Sequence, residues 1–346
     1  MPDVSVVIPT HNRAPILAQT LESVQTQSLS SWECIVVDDH SEDGAPAIAA
    51  RFAEQDGRFR LLALPEGKRY ANAARNLGSA AARADHIVFL DSDDLLTPDC
   101  LRRRLAVMRA HPELDFAVFE AEGFTLVPGD LGRRFPVGED DLDLFLAQRH
   151  PWGTPSVIWR REAVAAVGPW DESLLRWQDL DFHARALIQR LRYARFGPVD
   201  VYVRHGDAAH QAARRATANS HAFLTSAEQV PLKLRRLLHQ EGILTPRRQH
   251  LLAGLCFWIA ELFTGLPNYP EARRVWRLAR PVGSLSLRTF LEGLLLLHLR
   301  QQRYLGTVTR QRLIPPWKYR NGLALPKAKP DAAACTRPGL VQSPSP

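Results

Sequence analysis

A short apolar run that leads directly into a cluster of carboxylates constrains this chain more than any other feature. Residues 87–90 read Ile-Val-Phe-Leu, and Asp91, Asp93 and Asp94 follow at once. Such a run predicts a buried parallel strand, whose carboxyl end faces the ligand crevice of an open α/β sheet. Closely spaced carboxylates repel one another unless a cation or a proton neutralises them. The cluster therefore favours a divalent metal shared with substrate phosphates, and an acidic turn that caps the next helix is the alternative.

The first hundred residues alternate between strand and helix patterns. Residues 4–8, 32–37, 60–64 and 86–90 have the composition of buried strands, and helical patterns separate them. This alternation is typical of parallel sheets with right-handed crossovers. The sequence therefore predicts a Rossmann-like α/β fold, with a mostly parallel sheet flanked by helices.

The pattern changes further along the chain. Residues 115–119, 154–159 and 199–203 predict more short strands, and the Gly- and Pro-rich residues 123–138 predict a loop. Beyond these strands, leucine and arginine recur at helical spacing. We therefore predict a first domain over residues 1–217, a helical region over 218–325 and a disordered tail over 326–346.

Charge and cysteine usage bear on partners and location. The chain has 44 Lys and Arg against 37 Asp and Glu, and the surplus lies on helical faces of the second half. No zinc spacing or RNA-binding signature accompanies it, so we expect no nucleic-acid partner; peripheral contact with an anionic inner membrane stays open. The four cysteines lack paired spacing, no apolar leader opens the chain, and the apolar residues 290–299 are too few to span a bilayer. The sequence therefore predicts a cytoplasmic protein.

Polar residues follow three of the predicted strands. They are Pro9, Thr10, Asn12 and Arg13 after the first strand, Asp38 and Asp39 after the second, and Asp91, Ser92, Asp93 and Asp94 after the fourth. Because the carboxyl ends of parallel strands share one edge, we expect these residues to lie along it. Carboxylates there accept hydrogen bonds from a pyrimidine or a ribose, and a metal binds a pyrophosphate. The arrangement suits a nucleoside diphosphate, although Asp38 also reads as an end-of-strand cap.

Four motifs in this order resemble those of the family 2 glycosyltransferases. They are Val-Ser-Val-Val-Ile-Pro-Thr-His-Asn-Arg at 4–13, Ile-Val-Val-Asp-Asp-His-Ser at 35–41, Ala-Arg-Asn-Leu-Gly at 74–78 and Phe-Leu-Asp-Ser-Asp-Asp at 89–94. The resemblance covers roughly residues 2–207. It implies the A-type nucleotide-sugar fold (GT-A), with a helical module after it.

The resemblance also implies roles for the matching residues. The nucleoside would lie along Pro9, Thr10, Asn12 and Arg13, and Asp39 matches the acidic residue that holds a pyrimidine, which implies uracil. Further candidates for nucleotide contact are Asp38, Arg69, Asn76 and Ser92. Lys68, Arg69 and Arg75 are candidates to reach the diphosphate, although an arginine on an alanine-rich helix, such as Arg75, is more often a surface residue.

The metal assignment rests on the Asp-x-Asp signature. In this resemblance Asp93 binds Mn²⁺ or Mg²⁺, Asp91 faces the ribose, and Asp94 shares either role. His205 resembles a later position that contacts the metal or the diphosphate in some relatives, and a hydrogen-bonded core histidine is the alternative.

A later family motif, an acidic pair at the start of a helix, falls on residues 178–181. Gln178 replaces the first acid, which leaves Asp179 as the candidate general base; Asp181 reads as a helix N-terminal charge. We expect nearby tryptophans to raise the pKa of Asp179. One of them is expected to stack on a sugar, and a place in the core is the alternative for each. These residues are Trp152, Trp170 and Trp177.

These observations predict an inverting, metal-dependent, non-processive glycosyltransferase. Its donor would be a UDP-sugar, and its acceptor a bacterial surface glycan or lipid-linked glycan. The non-processive assignment rests on the lack of a membrane-spanning pattern and of a Gln-x-x-Arg-Trp motif. The alternatives are a nucleotidyltransferase, which normally has a glycine-rich loop after its first strand, and a catalytically idle scaffold with the same fold.

Overall fold

The strand and helix alternation predicted at the start of the chain is present in the computed structural model, which describes residues 1–134, 140–205, 219–266, 269–302 and 307–325. The first elements are β1 (Val4–Thr10), α1 (Ala14–Gln25), β2 (Trp32–Asp38), α2 (Ala45–Gln55), β3 (Phe59–Ala63), α3 (Tyr70–Ala81) and β4 (His86–Phe89). β1, β2 and β4 are buried along their whole length, as their continuous apolar runs predict.

The middle of the chain completes the sheet and adds helices. Its elements are β5 (Leu95–Leu96), α4 (Cys100–Ala110), β6 (Phe116–Phe124), β7 (Arg133–Arg134), α5 (Asp141–Leu146), a 3₁₀ turn (Thr154–Ser156), β8 (Val157–Arg160), α6 (Arg161–Val167), α7 (Gln178–Ile188) and β9 (Tyr193–Arg204). The strand expected at 154–159 thus begins with a 3₁₀ turn. The strands expected at 115–119 and 199–203 are longer than predicted.

These two strands are longer because they pair with each other across an irregularity. β6 and β9 run parallel, and their register shifts between Phe119 and Ala121, where the partner residue changes from Phe196 to Val201. Gly197 and Pro198 lie in the skipped part of β9, where proline needs no ladder partner for its missing N–H. The Gly-Pro pair interrupts the sequence pattern without ending the strand.

One sheet contains all nine strands of the described part of the chain. The order is β3-β2-β1-β4-β8-β6-β9-β5, with β7 beside β6. The pairs β3–β2, β2–β1 and β1–β4 are parallel. β8 is antiparallel to both of its neighbours, β4 and β6. The register places Thr10 beside Asp38, so the carboxyl ends of β1 and β2 lie side by side.

Gly78 of the third motif allows α3 to pack closely on this sheet. A Cβ at this position would overlap Val7 Cγ1 and would lie 3.3 Å from Val37 Cγ2. The close approach brings α3 to the edge where β1 and β2 end. The glycine is therefore explained by helix–sheet packing.

The last third of the described chain is helical, as predicted. Its helices are α8 (His221–Ala227), α9 (Gln229–Gln240), α10 (Pro246–Phe263), α11 (Tyr269–Gly283), α12 (Leu287–Gln301) and α13 (Thr307–Arg320). In the described residues, no helix has the length and apolar character needed to cross a membrane. The predicted boundary at 217/218 and the predicted disordered tail, 326–346, lie outside the described residues.

α7 is shared by two hydrophobic cores. Leu180, Ala184 and Ile188, spaced four residues apart, pack in the core of the C-terminal helices. Phe182 and Ala186 pack in a core on one face of the sheet. Because α7 packs against both cores, the position of its first residues, including Asp179, is fixed.

Candidate functional site

The ends of β1, β2 and β4 surround a pocket of about 320 Å³. Its lining residues are Pro9, Thr10, His11, Arg13, Asp39, Ala71, Arg75, Asp91, Ser92, Asp93 and Gln178. Seven of these were predicted as nucleotide or metal contacts. The pocket also contains the start of α3 and the start of α7, which are distant in sequence.

Asp39 offers an acceptor to a ligand in this pocket. Its Oδ2 accepts a hydrogen bond from the Tyr70 backbone N–H at 2.7 Å, whereas its buried Oδ1 has no protein partner. A buried carboxylate oxygen without a partner is costly, and a ligand N–H would satisfy it. This geometry fits the predicted contact with a pyrimidine.

Asp38 and Asn12 shape the loops beside the pocket. Asp38 Oδ2 accepts the Ser41 backbone N–H at 3.0 Å, which is the capping contact of the alternative interpretation. Asn12 has a φ of 51°, a conformation that asparagine tolerates, and its Oδ1 accepts the Glu42 backbone N–H. These two residues hold the turns after β1 and β2 together and do not line the pocket.

The acidic cluster does not cap the next helix. α4 begins at Cys100, after β5, so the alternative interpretation of Asp91, Asp93 and Asp94 as a helix cap is wrong. Arginines and backbone groups face these carboxylates instead. Asp91 Oδ1 lies 2.7 Å from Arg75 Nη2, and Asp94 Oδ1 accepts the Arg204 backbone N–H at 2.8 Å.

Asp93 is the carboxylate of the cluster best placed for a metal. It lies in the pocket and is only 7% exposed, and Arg13 Nη2 lies 3.9 Å from its Oδ2. No group of three His, Cys, Asp or Glu in the described residues is arranged to hold a metal by itself, so the four predicted ligands do not form a closed cage. Mg²⁺ and similar ions bind through one or two carboxylates plus substrate phosphates, and this donor set fits that mode.

His205 lies at the end of β9, close in sequence to a residue that does contact the cluster. Its backbone N–H donates to the Phe124 carbonyl at 2.8 Å. Arg204, just before it, donates from Nε to the Asp93 carbonyl at 2.9 Å. The structure thus brings the end of β9 to the acidic turn through Arg204.

Arg75 is buried, and its interpretation as a surface residue is wrong. It is 5% exposed, and its guanidinium lies 4.6 Å from the ring centroid of Trp170 while it binds Asp91. The sequence of α3 predicts a helix, but it does not show which residues pack against Arg75. Trp170, which does so, comes from a loop distant in sequence. Arg75 places a fixed positive charge in the pocket.

The other two candidates near α3 have different surroundings. The Asn76 side-chain amide donates to the Trp170 carbonyl at 2.9 Å and to Glu172, and its Oδ1 accepts the Trp170 backbone N–H. It therefore holds the loop that covers Arg75. Arg69 immediately precedes α3 and is exposed.

Asp179 follows Gln178, the α7 residue that lines the pocket. Asp179 Oδ1 accepts the Leu180 backbone N–H at 2.9 Å, and Oδ2 lies 3.3 Å from His150 Nδ1. Burial alone would raise the pKa of the Asp179 carboxyl, but His150 outweighs burial and holds that pKa well below its usual range. The expectation of a raised pKa is wrong because His150, which no motif marks, faces this carboxylate.

The three tryptophans are core residues. They are between 1% and 6% exposed, so the expectation that one stacks on a sugar is wrong. The ring of Trp170 stacks on Phe182 with centroids 4.1 Å apart, and that of Trp177 stacks on Trp258 at 5.4 Å. Asp181, predicted as a helix charge, is also buried and pairs with Arg185 and Lys233.

Comparisons with known proteins agree with this architecture. Residues 5–154 match the profile described as glycosyl transferase family 2. The succinoglycan biosynthesis protein ExoO of Rhizobium meliloti is 43% identical over 105 residues, which cover 30% of this chain and 29% of that protein. The chain spans only about a third of the length of the first curated relatives that it matches.

Two solved structures show the same fold at low sequence identity. TarS of S. aureus, in complex with UDP-GlcNAc, has a TM-score of 0.63 at 18% identity, with 88% of each chain covered. The mannosyltransferase PcManGT of Pyrobaculum calidifontis, in complex with GDP-Man and Mn²⁺, has a TM-score of 0.54 at 19% identity, with 93% of this chain and 86% of that one covered. The predicted GT-A fold is confirmed.

Proposed function

We propose, because residues 5–154 match the profile of glycosyl transferase family 2, that this protein transfers a sugar from a nucleotide sugar to a hydroxyl of a bacterial surface glycan or lipid-linked glycan. The observation that carries the proposal is the pocket at the strand ends. It combines an acceptor for a base (Asp39), a carboxylate for a metal (Asp93) and two cations for a diphosphate (Arg13 and Arg75). The ExoO relative is named for succinoglycan biosynthesis, which supports a polysaccharide acceptor.

We propose a UDP-sugar as the donor. The partnerless Oδ1 of Asp39 accepts the N–H of uracil, which supports this choice. TarS is solved with UDP-GlcNAc, whereas PcManGT is solved with GDP-Man, so the fold alone does not fix the base. The reason to prefer uracil is the resemblance, in which Asp39 matches the acidic residue that holds a pyrimidine.

In the proposed reaction this chain positions the donor and receives one proton. Arg13 and Arg75 face the diphosphate, whose charge grows as its bond to the anomeric carbon breaks. Asp179 takes the proton of the acceptor hydroxyl, whose oxygen forms the new bond from the opposite face, so the configuration inverts. A divalent metal held by Asp93 and the diphosphate oxygens would neutralise further charge on the leaving group.

Donor binding tests this proposal most directly. We expect isothermal titration calorimetry to show binding of UDP-sugars in the presence of Mn²⁺, and weaker binding of GDP-sugars. Asp93→Ala should weaken the metal-dependent part by at least about tenfold, because a charged ligand is lost. Asp85→Ala, which removes an exposed carboxylate paired with Arg161, is the control. Equal binding of the nucleotide sugar with and without a chelator would refute the metal dependence. A preference for GDP-sugars would refute the assignment of uracil as the base.

We also propose peripheral contact with a membrane that carries the acceptor. Leu287, Leu291 and Leu295 lie along one face of α12 and are 59%, 53% and 57% exposed. Lys and Arg outnumber Asp and Glu several-fold in residues 219–325. Exposed leucines beside excess positive charge suit the surface of anionic lipids.

A further inference from the structure

His150 contacts the candidate base directly, although no motif pointed to it. It lies in the loop after α5, and its Nδ1 is 3.3 Å from Asp179 Oδ2. Its ring packs edge-on against Phe145 of α5, with centroids 5.7 Å apart. The side chain is 27% exposed, and its packing against Phe145 leaves Nδ1 facing the Asp179 carboxylate.

The surroundings leave His150 as the main positive partner of Asp179. His183, one turn further along α7, is 1% exposed, and burial lowers its pKa to about 3, so that ring is neutral at ordinary pH. Three arginines also act electrostatically here, the first on Asp179 and the other two on His183. They are Arg176 before α7, Arg75 on α3 and Arg185 on α7.

We propose that His150 is a positioning residue that holds Asp179 ionised and oriented toward the acceptor hydroxyl. This inference rests on the proposed function, in which Asp179 is the base. Each carboxylate oxygen has two lone pairs. The Leu180 backbone N–H and His150 therefore occupy one acceptor site on each oxygen and leave the others for the acceptor O–H.

The ion pair has a defined effect on the pH dependence of transfer. Asp179 raises the pKa of His150 above its ordinary value, so the ring is more often protonated near neutral pH. The positive ring in turn keeps the pKa of Asp179 low, so the base stays ionised as the pH falls. Without this charge, burial of Asp179 is opposed less strongly, by interactions such as the hydrogen bond from the Leu180 N–H, and its pKa rises.

His150→Gln separates positioning from charge, because glutamine can still donate a hydrogen bond but carries no charge. We expect the acid limb of the kcat profile to move to higher pH by roughly one to three units, with the KM for the donor unchanged. His150→Ala, which removes both interactions, should also lower kcat at the optimum by about a hundredfold. His111→Gln is a matched control, because His111 and Glu113 form a similar pair at 3.1 Å on the surface.

An NMR titration of the histidine rings gives a readout that does not depend on turnover. We expect the pKa of His150 to lie above that of a free histidine in the wild type and to fall in Asp179→Asn. An ordinary pKa for His150 in the wild type would overturn the ion pair. An unmoved acid limb in His150→Gln would overturn the positioning role, whereas full turnover in Asp179→Asn would overturn the proposed base itself.

Discussion

A buried ion pair anchors the acidic turn to the sheet, and breaking it should destabilise the protein strongly. Arg104 of α4 donates from Nε and Nη2 to the two carboxylate oxygens of Asp200 at 2.9 and 2.7 Å, and from Nη1 to the Pro155 carbonyl. Both side chains of the pair are 0% exposed. Asp200 lies on β9, which pairs with β5 directly after the acidic cluster.

The cost of removing Arg104 follows from this burial. Arg104→Met leaves the Asp200 carboxylate buried without its partner, and such a loss typically costs about 3–5 kcal/mol. In a domain of this size that corresponds to a melting temperature lowered by roughly 10 °C. The loss should also increase the mobility of the acidic turn. The segment that follows the turn is held to β9 by the Thr97 backbone N–H, which donates to the Asp200 carbonyl at 3.0 Å.

Urea denaturation and differential scanning fluorimetry measure this effect. Arg102→Met is the control, since Arg102 lies on the same helix but pairs with Asp99 in solvent, and its loss should leave the melting temperature almost unchanged. The double variant Arg104→Met/Asp200→Leu should recover most of the stability, because it removes the buried charge as well. A loss below about 1 kcal/mol in Arg104→Met, or a double variant no more stable than the single one, would refute the reasoning.

Two further predictions concern the base and the membrane. Asp179→Asn should keep donor binding, measured by calorimetry, but lower transfer by at least about a hundredfold, because amide oxygen is a poor base; turnover near the wild-type rate would reassign the base. Leu291→Gln/Leu295→Gln should lower binding to phosphatidylglycerol vesicles at least about tenfold in a flotation assay, since each leucine loses buried apolar area. Leu232→Gln, at a 42% exposed leucine of α9, is the control, and equal binding by both variants would remove α12 from the membrane contact.

The strand ends could be predicted from the sequence because their signals are local. A continuous apolar run followed by polar residues marks a buried parallel strand, and topology then places the ends at one edge. Asp39, Asp91 and Asp93 therefore reach the pocket as expected. The longer β6 and β9 were not predictable in the same way, because their pairing passes over Gly197 and Pro198.

Partners that come from distant segments carry no such local signal. In the sequence, nothing distinguishes Arg75 from other arginines on alanine-rich helices; only the fold shows that Trp170 covers it. His150 lies in a loop without a motif, so its contact with Asp179 is also visible only in the fold. The raised pKa expected for Asp179 followed from burial alone, and one unseen histidine reversed the direction. The location of the site can therefore be predicted from the sequence. The pKa values of its residues depend on charged partners that only the tertiary structure shows.

The packing of α7 indicates that the C-terminal helices contribute to the site. Leu180, Ala184 and Ile188 are buried among those helices, and Lys233 of α9 pairs with Asp181 at 2.8 Å. Asp181 lies only two residues after the candidate base, so the same contacts fix the first turn of α7. The domain boundary at 217/218 stays a prediction. A cut there would separate the candidate base from the C-terminal helices that pack against α7. The GT-A part forms the candidate donor pocket, and the helical region packs against the helix that carries the candidate base.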